Sequence, residues 1–191
     1  MTERICSMPI QIAHAAGVVG QISKGKQHDR SKGPLGLVIL SGASAQTVLV
    51  VATDSVALFC AEVAANHNLP SLETYVVKNA PAKAPTTEER KEPFFADLEL
   101  WDGPGSAAVL ADKAMGMFDS DQKPGSFDIA RAERCMKALR YAGATVTAME
   151  SHANATRWTA PNLYGPTKIC VLLAGVLVRE PTPVEEVETD G

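Results

Sequence analysis

Three apolar runs, Leu35 to Leu40, Thr47 to Ala52 and Val56 to Val63, follow one another with only a few residues between them. A parallel pairing needs a crossover of a dozen residues or more, whereas antiparallel neighbours need only a tight turn. The links Ser41-Gly42-Ala43-Ser44 and Thr53-Asp54-Ser55 are short and rich in turn formers. The spacing therefore predicts an antiparallel meander, and places the chain in the α+β class.

The flanking segments supply the helices. Ile12, Ala15, Ala16, Val19 and Ile22 recur at helical spacing, which predicts a helix over 10–22 with Pro9 at its start. Gly17 and Gly20 each weaken it by about 1 kcal/mol relative to Ala unless they permit close packing. The polar stretch Ser23 to Gly33 reads as a loop. Leu72 to Val77 and Phe94 to Trp101 read as strands. Between them Asn79 to Pro93, with its prolines and the Glu88-Glu89-Arg90-Lys91 cluster, reads as an exposed connection. A short helix is expected over Ala107 to Phe118, then a loop to Gly125. A further helix spans Ile129 to Tyr141, with Asp128 as its N-cap and Gly143 just past its end. Ala144 to Glu150, Ala155 to Thr159 and Lys168 to Val178 give three more strands. Arg179 to Gly191 holds five acids and two prolines, and is expected to be a disordered tail that folding does not need.

At 191 residues the chain is long enough for one domain with a core that needs no disulfide staples. Only ten residues are aromatic, so that core must be Ala, Val, Leu and Ile. Cys6, Cys60, Cys135 and Cys170 stand far apart among apolar neighbours and read as free thiols. The longest apolar run, Ile169 to Val178, is half the ~20 residues of a membrane span. The first residues lack the basic, apolar pattern of a signal peptide, so the expected location is cytoplasmic, with no membrane partner. Asn154-Ala-Thr156 matches a glycosylation acceptor, which carries no information without such a signal. Gly20 to Gln27 only approximates a phosphate-binding loop, because a helix enters it and Gln27 replaces the hydroxyl that would hold magnesium. His14, His28, His67 and His152 are scattered, and none sits near a Cys. These observations give no catalytic residue, no metal site and no cofactor.

The most distinctive pattern lies in the helix 129–141. Arg131, Arg134, Lys137 and Arg140 step by three residues, opposite an apolar stripe of Ala132, Cys135, Met136 and Leu139. Lys24, Lys26, Arg30 and Lys32 cluster after the first helix, so eight of the eighteen cations fall in two segments of a chain whose net charge is −4. Such a face is either an ordinary solvated helix surface or a contact for a phosphate backbone, which needs positive charge but no base-specific geometry. If the four line such a contact their charged ends remain hydrated, so that Arg134→Glu with Lys137→Glu is expected to cost little stability.

An internal correspondence adds to this. Ile12-Ala13-His14-Ala15 and Ile129-Ala130-Arg131-Ala132 match at an offset that also aligns Val18, Val19 and Ile22 with Cys135, Met136 and Leu139. Each helix is followed by three predicted strands. A duplicated helix-plus-three-strand unit with basic helices resembles a domain of the DNA sliding clamps, the family of the bacterial polymerase III beta subunit and the proliferating-cell nuclear antigen. Leu49 to Leu58, running through Thr53-Asp54, is similar to a clamp hairpin. Phe127-Asp128-Ile129 through Leu139, then Val146 to Met149 and Ile169 to Val178, resembles the second half of a bacterial clamp domain. Ser55 and Ala57 replace the Gly and Arg common after the Thr-Asp turn of bacterial clamps.

The resemblance implies a single clamp-like domain over 1–178, built from βαβββ half-repeats at about 5–78 and 94–178. Insertions fall at 79–93 and 103–125, and the antiparallel sheets carry helices on one face. It implies a homo-oligomeric ring around double-stranded DNA, held non-specifically, that tethers a DNA polymerase or is handled by a clamp loader. Lys24, Lys26, Arg131, Arg134, Lys137 and Arg140 would face the DNA. Val176, Leu177 and Val178 would lie at a groove for partner peptides. Two other classes compete: an assembly protein forming a homo-oligomeric scaffold, and a small-molecule enzyme with its site on the 79–125 insertions.

Overall fold

A computed structural model describes residues 3–20, 37–81, 83–116, 128–152 and 155–175. In chain order its elements are β1 (Cys6–Pro9), α1 (Ile10–Val19), β2 (Leu37–Ser44), β3 (Thr47–Thr53), β4 (Ala57–Ala64), β5 (Asn66–His67) and β6 (Tyr75–Val77). A 3-10 turn (Glu89–Lys91), β7 (Pro93–Phe95), β8 (Leu98–Leu100), α2 (Ala107–Gly116), α3 (Ile129–Tyr141), β9 (Ala148–His152), β10 (Ala155–Ala160) and β11 (Ile169–Ala174) follow. The chain is a mixed α+β protein with antiparallel sheets.

The main sheet has eight strands in the order β8-β6-β2-β3-β4-β11-β10-β9. The meander β2-β3-β4 is present, and β9-β10-β11 forms a second one behind α3. The two meet where β4 pairs with β11. A second, three-stranded sheet, β5-β1-β7, stands beside it.

Alternation along β3 explains the layering. Val48, Val50 and Ala52 point to one core, which they share with α1 and α3, while Leu49 and Val51 point to another, which they share with α2 and Trp101. The sheet is therefore covered on both faces. This corrects the expectation of helices on one face only: α2, from the 103–125 segment, packs on the opposite side from α1 and α3. A sheet buried on both faces is apolar at successive positions, as Val48 to Ala52 are.

Other boundaries differ for definite reasons. Phe94 to Trp101 is not one strand. Residues 93–95 pair with β1 and residues 98–100 with β6, so the segment bridges two sheets and belongs with the strands of the first meander rather than the second. The link at Ser41 to Ser44 is still strand, with a register shift between Gly42 and Ser44. α1 stops at Val19, with the Gly20 N–H bonded to the Ala16 carbonyl. The tail from Arg179 lies outside the described residues. Among those described, no helix is long and apolar enough to cross a membrane.

Candidate functional site

The basic helix α3 is built by local chemistry. The Asp128 carboxylate accepts the Arg131 backbone N–H at 3.1 Å, capping the first turn. At the other end Gly143 takes φ +65°, and the N–H groups of Gly143 and Ala144 close on the carbonyls of Arg140 and Leu139. That pattern is a Schellman cap, which needs a residue tolerant of the left-handed conformation. Cys135, Ala138 and Leu139 are buried against α1 and the sheet.

The four cations do not form one uniform face. Lys137 and Arg140 are exposed, with no ion-pair partner among the described residues. Arg131 and Arg134 instead turn toward the β3–β4 turn. Arg131 donates from Nε to Asp54 Oδ2 at 2.9 Å, and Arg134 donates from its terminal nitrogen to the same oxygen at 2.5 Å. Arg131 also reaches Asp128 Oδ2 at 2.6 Å.

Asp54 is held from two sides. Its other oxygen, Oδ1, accepts the backbone N–H groups of Val56 and Ala57 at 3.0 and 2.7 Å. The turn is tightened by the Thr53 hydroxyl, which donates to the Ala57 carbonyl and accepts from Ser55 N–H. This geometry holds Ser55 at φ 79°, which side chains rarely adopt. The Asp54 side chain is 6% exposed. Burial alone would raise its pKa, but the N–H groups of Ala57 and Val56, the Arg131 hydrogen bond and the Arg134 charge outweigh burial and hold it below the ordinary carboxylate value.

This overturns the expectation that reversing Arg134 together with Lys137 costs little, since Arg134 is paired with a buried carboxylate. Arg131 and Arg134, with side chains 23% and 22% exposed, neutralise a buried carboxylate. The signal was in the sequence: an acid directly after Thr53 at the end of an apolar strand, and a helix of threefold-spaced arginines. Their pairing across about eighty residues was not.

α1 departs further from the expected arrangement. Every residue from Ile12 to Val19 is buried. One side of the helix lies on the sheet and another on α3, while the 79–93 segment crosses what remains. Buried His14 bonds through Nδ1 to the Lys83 carbonyl, and Gln11 donates to the Arg90 carbonyl at 3.2 Å. A Cβ on Gly17 would collide with the Pro81 carbonyl, so this glycine does permit close packing. Residues 79–81 and 83–93 are therefore a strap over α1, largely exposed outward but sealing the helix beneath. No protein-family model, curated protein or solved structure matches the chain.

Lys24 and Lys26 lie outside the described residues, as do Val176, Leu177 and Val178; β11 ends at Ala174. The 79–125 region offers no metal-binding group among the described residues. An open cleft of about 630 Å³ beside the strap is lined by Gln11, Gln46, Asn66, Arg90 and Tyr164 among others. Ser7, Lys91 and Glu92 also line it.

Proposed function

We propose that this chain is the subunit of a clamp-like ring that holds double-stranded DNA without reading its sequence. The observation that carries this is the arrangement of the two helix-led meanders. α1 precedes β2-β3-β4, α3 precedes β9-β10-β11, and the meanders join at β4–β11 with both helices packed together on one face. A duplicated helix-plus-three-strand unit accounts for that order, with no strand leading into α3 among the described residues. The sheet ends in two edge strands, β8 and β9, and edges of this kind pair with a further chain. Repeating one head-to-tail contact closes a ring when the rotation allows.

In this reading the helix that meets DNA is α3 and not α1, since the strap covers α1. Lys137 and Arg140 meet the phosphates first, and Lys24 and Lys26 lie on the segment that follows α1. Arg131 and Arg134 anchor the helix and lend charge only from their exposed edges. A polymerase or clamp loader docks at the stretch of sequence that holds Val176, Leu177 and Val178.

The test is retention on nicked circular DNA before and after linearisation, in rising salt. The wild type is expected to stay on circles, slide off linear DNA and show no sequence preference. Lys137→Glu with Arg140→Glu is expected to abolish retention while keeping the fold, because each cation withdrawn from the phosphate backbone reduces the salt slope by about one unit. A folded double variant that is retained as well as wild type overturns the proposal. A second reading, a DNA-independent scaffold, is favoured by the exposed apolar side chains of the edge strands, Met149 on β9 and Leu100 on β8, 66% and 53% exposed. Regular assemblies that form without DNA and ignore the double substitution would select it.

A further inference from the structure

Where β4 meets β11, Cys60 and Cys170 stand directly opposite each other. Two residues along each strand, Leu58 and Leu172 are also opposite, and both belong to the core beneath α2. Residues two apart share a face, so both thiols project toward α2. Opposed residues in an antiparallel pair have Cα atoms about 4.5 or 5.5 Å apart, depending on the hydrogen-bonding position. Both values lie within the ~4.4–6.8 Å that a disulfide spans. The pair is reduced and half-buried, whereas Cys6 and Cys135 are sealed in the core on the other face.

We propose that Cys60 and Cys170 are a redox-sensitive pair that a small-molecule disulfide, such as oxidised glutathione, converts to a cross-strand disulfide. One thiol loses its proton and attacks the reagent, breaking its S–S bond and forming a mixed disulfide. The second thiol loses its proton, attacks the protein sulfur of that mixed disulfide and expels the remaining half of the reagent. The reagent is reduced to two thiols, which take up the two protons, and the two cysteines are oxidised to one S–S bond.

The bond would tie the first meander to the second at their seam, closing a long loop of chain and restricting the unfolded state. Cβ atoms of opposed residues stand about 4.5–5.5 Å apart, slightly wider than the ~3.5–4.5 Å of a relaxed disulfide. The strands must draw together a little, which places the bond among the readily reversed ones. Burial pushes the Cys60 thiol up to about 12, with Cys170 and the Asp112 carboxylate of α2 adding to the effect. Burial also raises Cys170, where Arg157 of β10 opposes and Glu150 of β9 adds. Thiolate is therefore scarce at neutral pH, and closure is slow.

The experiment incubates the full folded chain with oxidised glutathione, quenches by alkylation in denaturant, and reads intact mass and a peptide map. The expected product has lost two hydrogen masses, carries a linked Cys60–Cys170 peptide, reverts with dithiothreitol and melts roughly 5–10 °C higher. Cys170→Ser should leave Cys60 as a glutathione adduct without a link. Cys6→Ala with Cys135→Ala should still link. If that core variant fails to fold, the wild-type peptide map decides alone. Separate glutathione adducts on both cysteines, no reaction after prolonged exposure, a link through Cys6 or Cys135, or a link that forms only in denaturant would each overturn the proposal.

Discussion

α1 and α3 lie side by side on the same face of the same sheet, yet they are different kinds of helix. α1 reads IQIAHAAGVV, with no charged residue, and is enclosed by the sheet, α3 and the 79–93 strap. α3 reads IARAERCMKALRY, and buries only Cys135, Ala138 and Leu139. A helix that is apolar all round must be covered all round, whereas an amphipathic one leaves a face for solvent or a partner. The two helices thus divide the work: α1 organises the core, and α3 carries the charge. Within α3 the division repeats among the cations, since Arg131 and Arg134 hold Asp54 while Lys137 and Arg140 face solvent.

The comparison breaks most visibly at Asp54. Asp54→Ala removes the acceptor for two arginines and two backbone N–H groups, and is expected to cost about 3–5 kcal/mol in urea unfolding, the range for breaking a buried ion pair. A loss under about 1 kcal/mol, the range of exposed pairs, would mean that both arginines are solvated and that the stripe is uniform after all.

Next comes Gly17, which marks the strap's grip on α1. Gly17→Ala would normally stabilise a helix, but here the added methyl meets the Pro81 carbonyl. A destabilisation of about 1–3 kcal/mol is expected, the usual cost of overpacking. A gain in stability would show that the strap lifts away and that α1 can present a free face.

Acid sharpens the same contrast. Asp54 titrates lower in the folded protein than in the unfolded chain, so its contribution is complete above the unfolded value of about 4. It is lost as pH falls through the lower folded value. Asp54→Asn is expected to flatten that acid limb, so the urea midpoints of wild type and variant should converge as pH falls from roughly 5 to roughly 2. Parallel curves would assign the acid sensitivity elsewhere, for example to Asp128, whose carboxyl is lowered first by the Arg131 backbone N–H.

The smallest effect is expected at the far end of α3. Lys137→Ala and Arg140→Ala should each change stability by less than ~0.5 kcal/mol, as exposed surface substitutions do. Arg134→Ala, a single helical turn before Lys137, should lose about 1.5–3 kcal/mol through its charged hydrogen bond. Equal losses at Arg134 and Lys137 would erase the division within the helix.

What the sequence determined by itself was local and periodic. α3 runs from Ile129 to Tyr141 with Asp128 and Gly143 at its ends, as its capping residues predict, because a cap is a contact between residues three or four apart. The meander of β2, β3 and β4 follows from short links that forbid a crossover. Tertiary structure decided the rest. β1, β5 and β7 are too short to show a period, and they form a sheet only because residues near 7, 66 and 95 are brought together. The strap looks like any polar, proline-rich connection until it is seen to cross an uncharged helix. Threefold spacing put Arg131, Arg134, Lys137 and Arg140 on one stripe, but spacing along a helix cannot say where a distant carboxylate will be buried. Asp54 and its two arginines meet because the β3–β4 turn falls beside the first turns of α3, and that placement belongs to the topology of the whole sheet.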